Sequence, residues 1–355
     1  MQRVAIIGLG LIGGSIGLGL KQWSAANAKG TDEALEIIGF DADIDQQQHA
    51  KKLNAVDRAE WDLSKAVRDA DIIIVSTPVL AMKDTFINIA PHLKAGAVVT
   101  DVGSTKGDVL EWARTELPRT VSFVGGHPMA GKTQSIEGAE ATLFKGATWC
   151  ICPLPTAKEE AIRNVLGMVA ALDAEPYFVD ANEHDGHVAG VSHLPFVLSA
   201  ALVNAVSSDP SWRDMKTLTS TGFRDASRLA AGSATMHRDI VVSNKVAINR
   251  WIDEAIRQLE GVQSAIAKLD GPDEAAAEEA LLTFFNTARD ARAVWSTQTG
   301  REGELLQNTE MDLVKEGFGD QMGRMLLGGF GRKRKAIATS GKPTSNQDKA
   351  SNGRH

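Results

Sequence analysis

Apolar and polar positions alternate between two regimes along this chain. Up to about residue 180 the apolar residues come in short runs, mostly β-branched: Val4–Ile7, Glu36–Phe40 around Ile37-Ile38, Ala70–Val75, Ala97–Thr100, Ser122–Val124, Ala147–Pro153 and Glu175–Asp180. Runs of four to seven such residues, bounded by glycine, proline or aspartate, predict strands buried on both faces. Helical patterns such as Lys158–Leu172 separate most of them. Repeated strand–helix units predict a parallel sheet covered on both sides by helices.

Beyond residue 182 the strand pattern stops. Residues 183–207 are rich in Ala, Val and Leu, and 237–268 and 273–297 carry apolar residues at three- and four-residue spacing, with Gly271-Pro272 as the break. The reading is an α/β Rossmann-type N-terminal domain (1–182) followed by an all-α helical domain (183–300). A helical extension without assignment covers 301–330, and a disordered tail 331–355. So many apolar helix faces in one small domain predict burial against a second copy, a homodimer.

The glycines sharpen the first half. Gly8, Gly10 and Gly13 follow the first strand and open a helix, as G-x-G-x-x-G. In that setting the first glycine makes the tight turn, the second admits a pyrophosphate to the backbone and the third lets helix and strand pack closely. Leu11 and Ile12 start the helix, whose unpaired N–H groups and dipole favour phosphate. Asp41 ends the second strand, where a carboxylate accepts ribose hydroxyls and repels a 2′-phosphate, which points to NAD over NADP. It stands 28 positions after Gly13, more than the usual ~20; the polar stretch Ser24–Glu33 absorbs the difference. Asp41 as a helix cap is the alternative.

Composition removes several classes. The net charge of −7 offers no general attraction to nucleic acid or to a membrane. Residues 331–355 reverse the sign, with seven Lys/Arg against one Asp, but such a tail reads as solvated chain. Two cysteines, Cys150 and Cys152, read as small buried hydrophobes in a reducing, cytoplasmic setting. The first apolar run is too short for a membrane span and lacks signal-peptide layout. No metal site is expected; His184, Asp185 and His187 read as a helix start at the domain hinge.

Ligands of doubly wound sheets bind beyond the carboxyl ends of the strands. Ser76-Thr77-Pro78, Asp101 with Gly103, Ser104 and Lys106, and His127 through Lys132 all fall there. In Gly125-Gly126-His127-Pro128 the proline holds His127 extended and the glycines allow close approach of a backbone or ligand. The imidazole is expected on a fixed loop at the cofactor side. Ser104 could cap the next helix or act on a substrate, and Lys106 could support the cofactor loop or be solvated. His193 precedes Pro195 in the helical half. Arg224 and Arg228 in GFRDASR compete as anion ligands, with an exposed salt bridge as the bland alternative.

At these positions the chain resembles the prephenate and arogenate dehydrogenases of tyrosine biosynthesis. The resemblance runs through GLGLIGGS, DVGSTKG, GGHPMAG, Ser135-Ile-Glu-Gly138, VSHLPF and GFRDASR, about four fifths of the chain. It implies a Rossmann domain, a helical dimerisation domain, and NAD(P)-dependent oxidative decarboxylation of prephenate or arogenate. His127 is then the group on the substrate hydroxyl and Ser104 its hydrogen-bond relay. Arg228 clamps a carboxylate, His193 lines the pocket and Asp225 orders it. His127 and Arg228 are expected at opposite ends of the substrate ring, across one cleft. Lys132 and His237 depart from many relatives and bear on the choice of substrate. No chorismate mutase segment is expected ahead of Met1. The rivals are a β-hydroxyacid dehydrogenase, which would need a lysine in 183–207, and a non-catalytic dinucleotide sensor.

Overall fold

The computed structural model describes residues 2–27, 34–132 and 134–305, with side chains through Trp295. Strand β1 (Gln2–Ile7) runs into helix α1 (Leu11–Asn27), and β2 (Leu35–Phe40) into α2 (Ile44–Lys52). A two-residue β3 (Arg58–Ala59), α3 (Leu63–Val67), β4 (Ile72–Val75), α4 (Met82–Ile89), β5 (Val98–Asp101) and α5 (Gly107–Glu116) follow. Then come β6 (Ser122–Pro128), β7 (Thr148–Pro153), α6 (Glu159–Ala171) and β8 (Glu175–Phe178). The eight strands form one sheet in the order β3-β2-β1-β4-β5-β6-β7-β8.

Side-chain alternation explains why the strands are apolar throughout. Val4 and Ile6 enter one core with Ile16, Leu20, Phe144 and Met168, while Ala5 and Ile7 enter the other with Phe86 and Val109. Each buried Ile, Val or Leu contributes roughly 1.5–3 kcal/mol against exposure.

The sheet departs from the all-parallel expectation at one joint. β6 and β7 pair antiparallel, so β7 and β8 run against the other six strands. Among the described residues of 129–147 there is a short 3₁₀ turn, Ile136–Gly138, and no crossover helix to carry the chain back to the start of β6. Instead Ile136 seats on Gly14 of α1, and the chain returns beside β6.

The second half is helical: α7 (Ala181–Val188), a π turn Ala189–His193, α8 (Leu194–Ser207), α9 (Trp212–Met215), α10 (Thr221–Ser227), a 3₁₀ turn Arg228–Ala231, α11 (Ala234–Ser243), α12 (Lys245–Ile266) and α13 (Glu274–Leu305). Pro195 has no N–H and crowds the carbonyl four residues back; the helix widens into the π turn just ahead of it. The continuous helix expected over 237–268 is broken at Asn244, whose φ −125° and ψ 33° leave the helical region. The expected extension 301–330 is described only as far as Leu305, and the tail 331–355 lies outside the described residues.

Candidate active site

The carboxyl ends of β1, β4, β5 and β6 share one edge of the sheet, because these strands are parallel. Gly8 turns the chain there at φ +96°, and a Cβ on it would lie 2.4 Å from the Ser76 carbonyl oxygen. Gly13 touches the Gly8 carbonyl in the same way, whereas a Cβ on Gly10 meets nothing within 4 Å. The turn is therefore closed beneath and open above. Asp41 is not the cap of α2, a task that falls to Asp43. Its carboxylate accepts from Leu9 N at 2.6 Å and Asp43 N at 2.9 Å, tying the end of β2 to the glycine turn. Thr77 Oγ1 is buried with no partner among the described residues. An open backbone cradle, a carboxylate at its far side and an orphaned hydroxyl fit a dinucleotide.

His127 is not held out on a loop. It is the penultimate residue of β6, paired with Cys150 and buried. The glycines before it admit neighbouring protein, not a ligand: a Cβ on Gly126 would come within 2.6 Å of the Asp101 carbonyl oxygen and 2.8 Å of Trp149 Nε1.

Two residues of α7 complete the arrangement. His127 Nδ1 lies 2.9 Å from His184 Nε2, and His184 Nδ1 lies 2.8 Å from Asp185 Oδ1. Asp185 also accepts from Lys106 N and Gly107 N, both at 2.8 Å. A carboxylate caps the first turn of α5 from the other half of the molecule, where the helix dipole favours it. As a carboxylate Asp185 can only accept. His184 therefore donates from Nδ1 and accepts at Nε2, and His127 donates from Nδ1. The free lone pair of His127 is then on Nε2. Burial, followed by the nearby His184, Lys106 and His193, holds the His127 imidazole well below the usual histidine range. The chain of hydrogen bonds ends in a neutral base with one open acceptor.

The other candidate residues separate. His193 is buried, and burial lowers it to about 4. Ser104 lies in the half-buried β5–α5 loop, caps nothing and has no hydrogen-bond partner among the described residues. Asp101 and Lys106 are not at the cleft surface: each side chain is 0% exposed and they form an ion pair. Asp101 also accepts from Gly103 N and Gly126 N. Asp101 thus holds the loops as a buried brace, in place of the expected cofactor contact, and Lys106 is far from solvated. Asp225 is exposed and, among the described residues, pairs with its neighbour Arg224, at 3.8 Å, and with no residue of the His127 cluster. Arg228 is exposed on the 3₁₀ turn beside α8, and no hydrogen bond or ion pair joins it to His127. Lys132 pairs with Glu140 at 2.9 Å. His237 stacks on Phe196 with ring centroids 4.2 Å apart.

Residues 25–177 match the family described as "Prephenate dehydrogenase, nucleotide-binding domain", and residues 180–284 match "Prephenate dehydrogenase, dimerization domain". The prephenate dehydrogenase of Bacillus subtilis (strain 168) is 32% identical over 297 residues, which span 82% of this chain and 75% of that protein. The chain belongs to the prephenate dehydrogenase family. The crystal structure of prephenate dehydrogenase from A. aeolicus in complex with hydroxyphenyl propionate and NAD+ superposes with a TM-score of 0.73 at 26% identity, covering 82% of this chain and 98% of that one. Synechocystis arogenate dehydrogenase superposes with a TM-score of 0.65 at 29% identity, covering 82% of this chain and all of that one. Membership makes the molecule a nucleotide-binding dehydrogenase with a dimerisation domain.

His184 and Asp185 are more than the helix start expected at the domain hinge. A signal was present: Ala181, His184, Asp185 and Val188 are the buried face of α7, at helical spacing. Two titratable residues on an apolar stripe are an anomaly that asks for partners.

Proposed function

We propose that this chain is a cytoplasmic, NAD-dependent prephenate dehydrogenase that works as a homodimer. The observation that carries the reading is the buried His127–His184–Asp185 chain at the carboxyl edge of the nucleotide-binding sheet. Its polarity leaves a neutral imidazole nitrogen free to take a proton.

The substrate is a cyclohexadiene with a hydroxyl on one ring carbon and a carboxylate on the opposite one. A dinucleotide held at the glycine turn by its pyrophosphate would supply a nicotinamide to accept the hydride from the hydroxyl-bearing carbon. His127 Nε2 takes the hydroxyl proton as the carbonyl develops. When the C–CO₂ bond breaks, its electron pair enters the ring, the ring becomes aromatic, and His127 returns the proton to the phenolic oxygen. Ser104 stands at the same edge with a hydroxyl to spare for the same oxygen. His193 and His237 line the helical side, and Arg228, an exposed guanidinium without a carboxylate partner among the described residues, receives a substrate carboxylate bidentately. Gly8, Gly10, Gly13, Leu11, Ile12, Ser76, Thr77, Pro78 and Gly103 would hold the dinucleotide. Asp41 selects NAD by repelling a 2′-phosphate. Free, buried Cys150 and Cys152 on one strand agree with a reducing compartment.

Ala181–Ser207 is long and apolar enough to cross a bilayer by length and composition alone. It also carries His184, Asp185 and His193 in buried hydrogen bonds, and its exposed Val191 and Leu198 are better explained by a second subunit. Arogenate is the second reading, favoured by the likeness to an arogenate dehydrogenase.

The test follows NADH formation with prephenate and arogenate in parallel. Prephenate is expected to be turned over. His127→Asn is expected to lower kcat by about 10²–10⁴-fold with NAD binding retained; unchanged turnover would remove His127 from the chemistry.

A further inference from the structure

Asn244 is buried at the break between α11 and α12. Its Nδ2 donates to the Asp185 carbonyl oxygen at 2.8 Å and faces His193 Nδ1 at 3.3 Å. A backbone carbonyl only accepts, so the amide end beside it is the NH₂. Its second hydrogen is directed at His193 Nδ1, which must then carry the lone pair. The proton of a neutral His193 is left on Nε2. That nitrogen is buried and has no partner among the described residues. A buried donor without an acceptor is costly, and a site tolerates it where a ligand supplies the acceptor. Asn244 holds the carbonyl of Asp185, whose carboxylate meets His184, which in turn meets His127, so the vacant donor is tied to the base through hydrogen bonds.

We propose that Asn244 is a positioning residue that sets the tautomer of His193, so that the site presents Nε2–H to an anionic oxygen of the substrate. What that oxygen belongs to rests on the function proposed above; the tautomer does not. The two imidazoles then have opposite polarity: His127 offers a lone pair and His193 a proton, each fixed by a partner behind it. One half of the pair recognises the substrate hydroxyl and the other a carboxylate.

Two measurements test this. In the full chain with ¹⁵N-labelled histidine and no ligand, the imidazole nitrogen shifts of His193 are expected to report protonated Nε2 and bare Nδ1, and Asn244→Ala is expected to mix the tautomers. A His193 proton on Nδ1 in the unsubstituted chain would overturn the proposal without any folding question. In steady-state assays with prephenate, Asn244→Ala is expected to raise KM about tenfold with a smaller effect on kcat. In a His193→Gln background, whose amide nitrogen replaces the Nε2 donor and has no tautomer, the same substitution should add little. An equal rise in both backgrounds would make Asn244 merely structural. Absence of turnover with either substrate would sink the proposed function and leave the spectroscopic result standing.

Discussion

A buried imidazole serves as a base only if it stays neutral and shows its lone pair to the substrate. In this chain Asp185 settles the second condition through His184, and burial settles the first. The pH consequence has a definite sign. An unfolded histidine takes up a proton near pH 6.5, but His127 in the native state does so only well below that, and His193 at about 4. The native state therefore binds fewer protons in this window. The contribution is fully present above about pH 6.5 and is lost progressively as pH falls toward the native values. Activity is expected to outlast the usual histidine limit, because His127 remains a base below it. A kcat/KM profile over about pH 5 to 8 should show its acid limb displaced below 6.5. A limb at 6.5 would mean that the catalytic imidazole is solvated.

The elements around the site are joined by a charged brace, and its worth can be measured. Lys106, at the start of α5, pairs with Asp101 at the end of β5, and Asp101 also receives Gly126 N from β6. Removing one partner of a fully buried pair leaves the other charge stranded, at about 3–5 kcal/mol. Lys106→Met is expected to lose that much stability in urea unfolding, and Asp101→Asn combined with it to recover part. A loss below about 1 kcal/mol, typical of a surface pair, would show that Lys106 reaches water. This brace marks a boundary of what the sequence could reveal. The glycine turn and the strands that run up to Asp41 and Asp101 were legible, because local periodicity and turn chemistry encode them; the continuation of β6 through His127 was not, because it rests on pairing with β7. The direction of β7 was not, since pairing depends on where residues 129–147 pack. Nor was the burial of Lys106, which only its contact with Asp101 permits. Asn244 was half-legible. It occupies the stripe of Ile240 and Ile248, both buried, where the spacing calls for an apolar residue, and a polar residue there is a request for a partner.

At the scale of the molecule, the two halves are unequally filled. The sheet has a core on each face, while the core cluster of the helical half, among the described residues, is small: Ala189, Phe196, Ile240 and Ile248. Val191, Leu198, Leu218, Val246, Leu259 and Leu282 remain exposed in one chain. Helices of this length do not hold an apolar face to water without cover, and the family's helical domain is a dimerisation domain. Obligate dimer interfaces bury about 2,000–5,000 Å², at roughly 25 cal/mol per Å² of apolar surface. Such an interface would be continuous with the site, because Val191 and Leu198 flank His193 on the same run of helix. We therefore expect sedimentation at twice the chain mass of 37.9 kDa at micromolar concentration. Leu198→Glu with Val246→Glu should shift the species to monomer and lower activity together with it, since the wall that carries His193 loses its support. A monomeric unsubstituted chain, or a monomeric variant with full turnover, would show that each site is complete within one subunit.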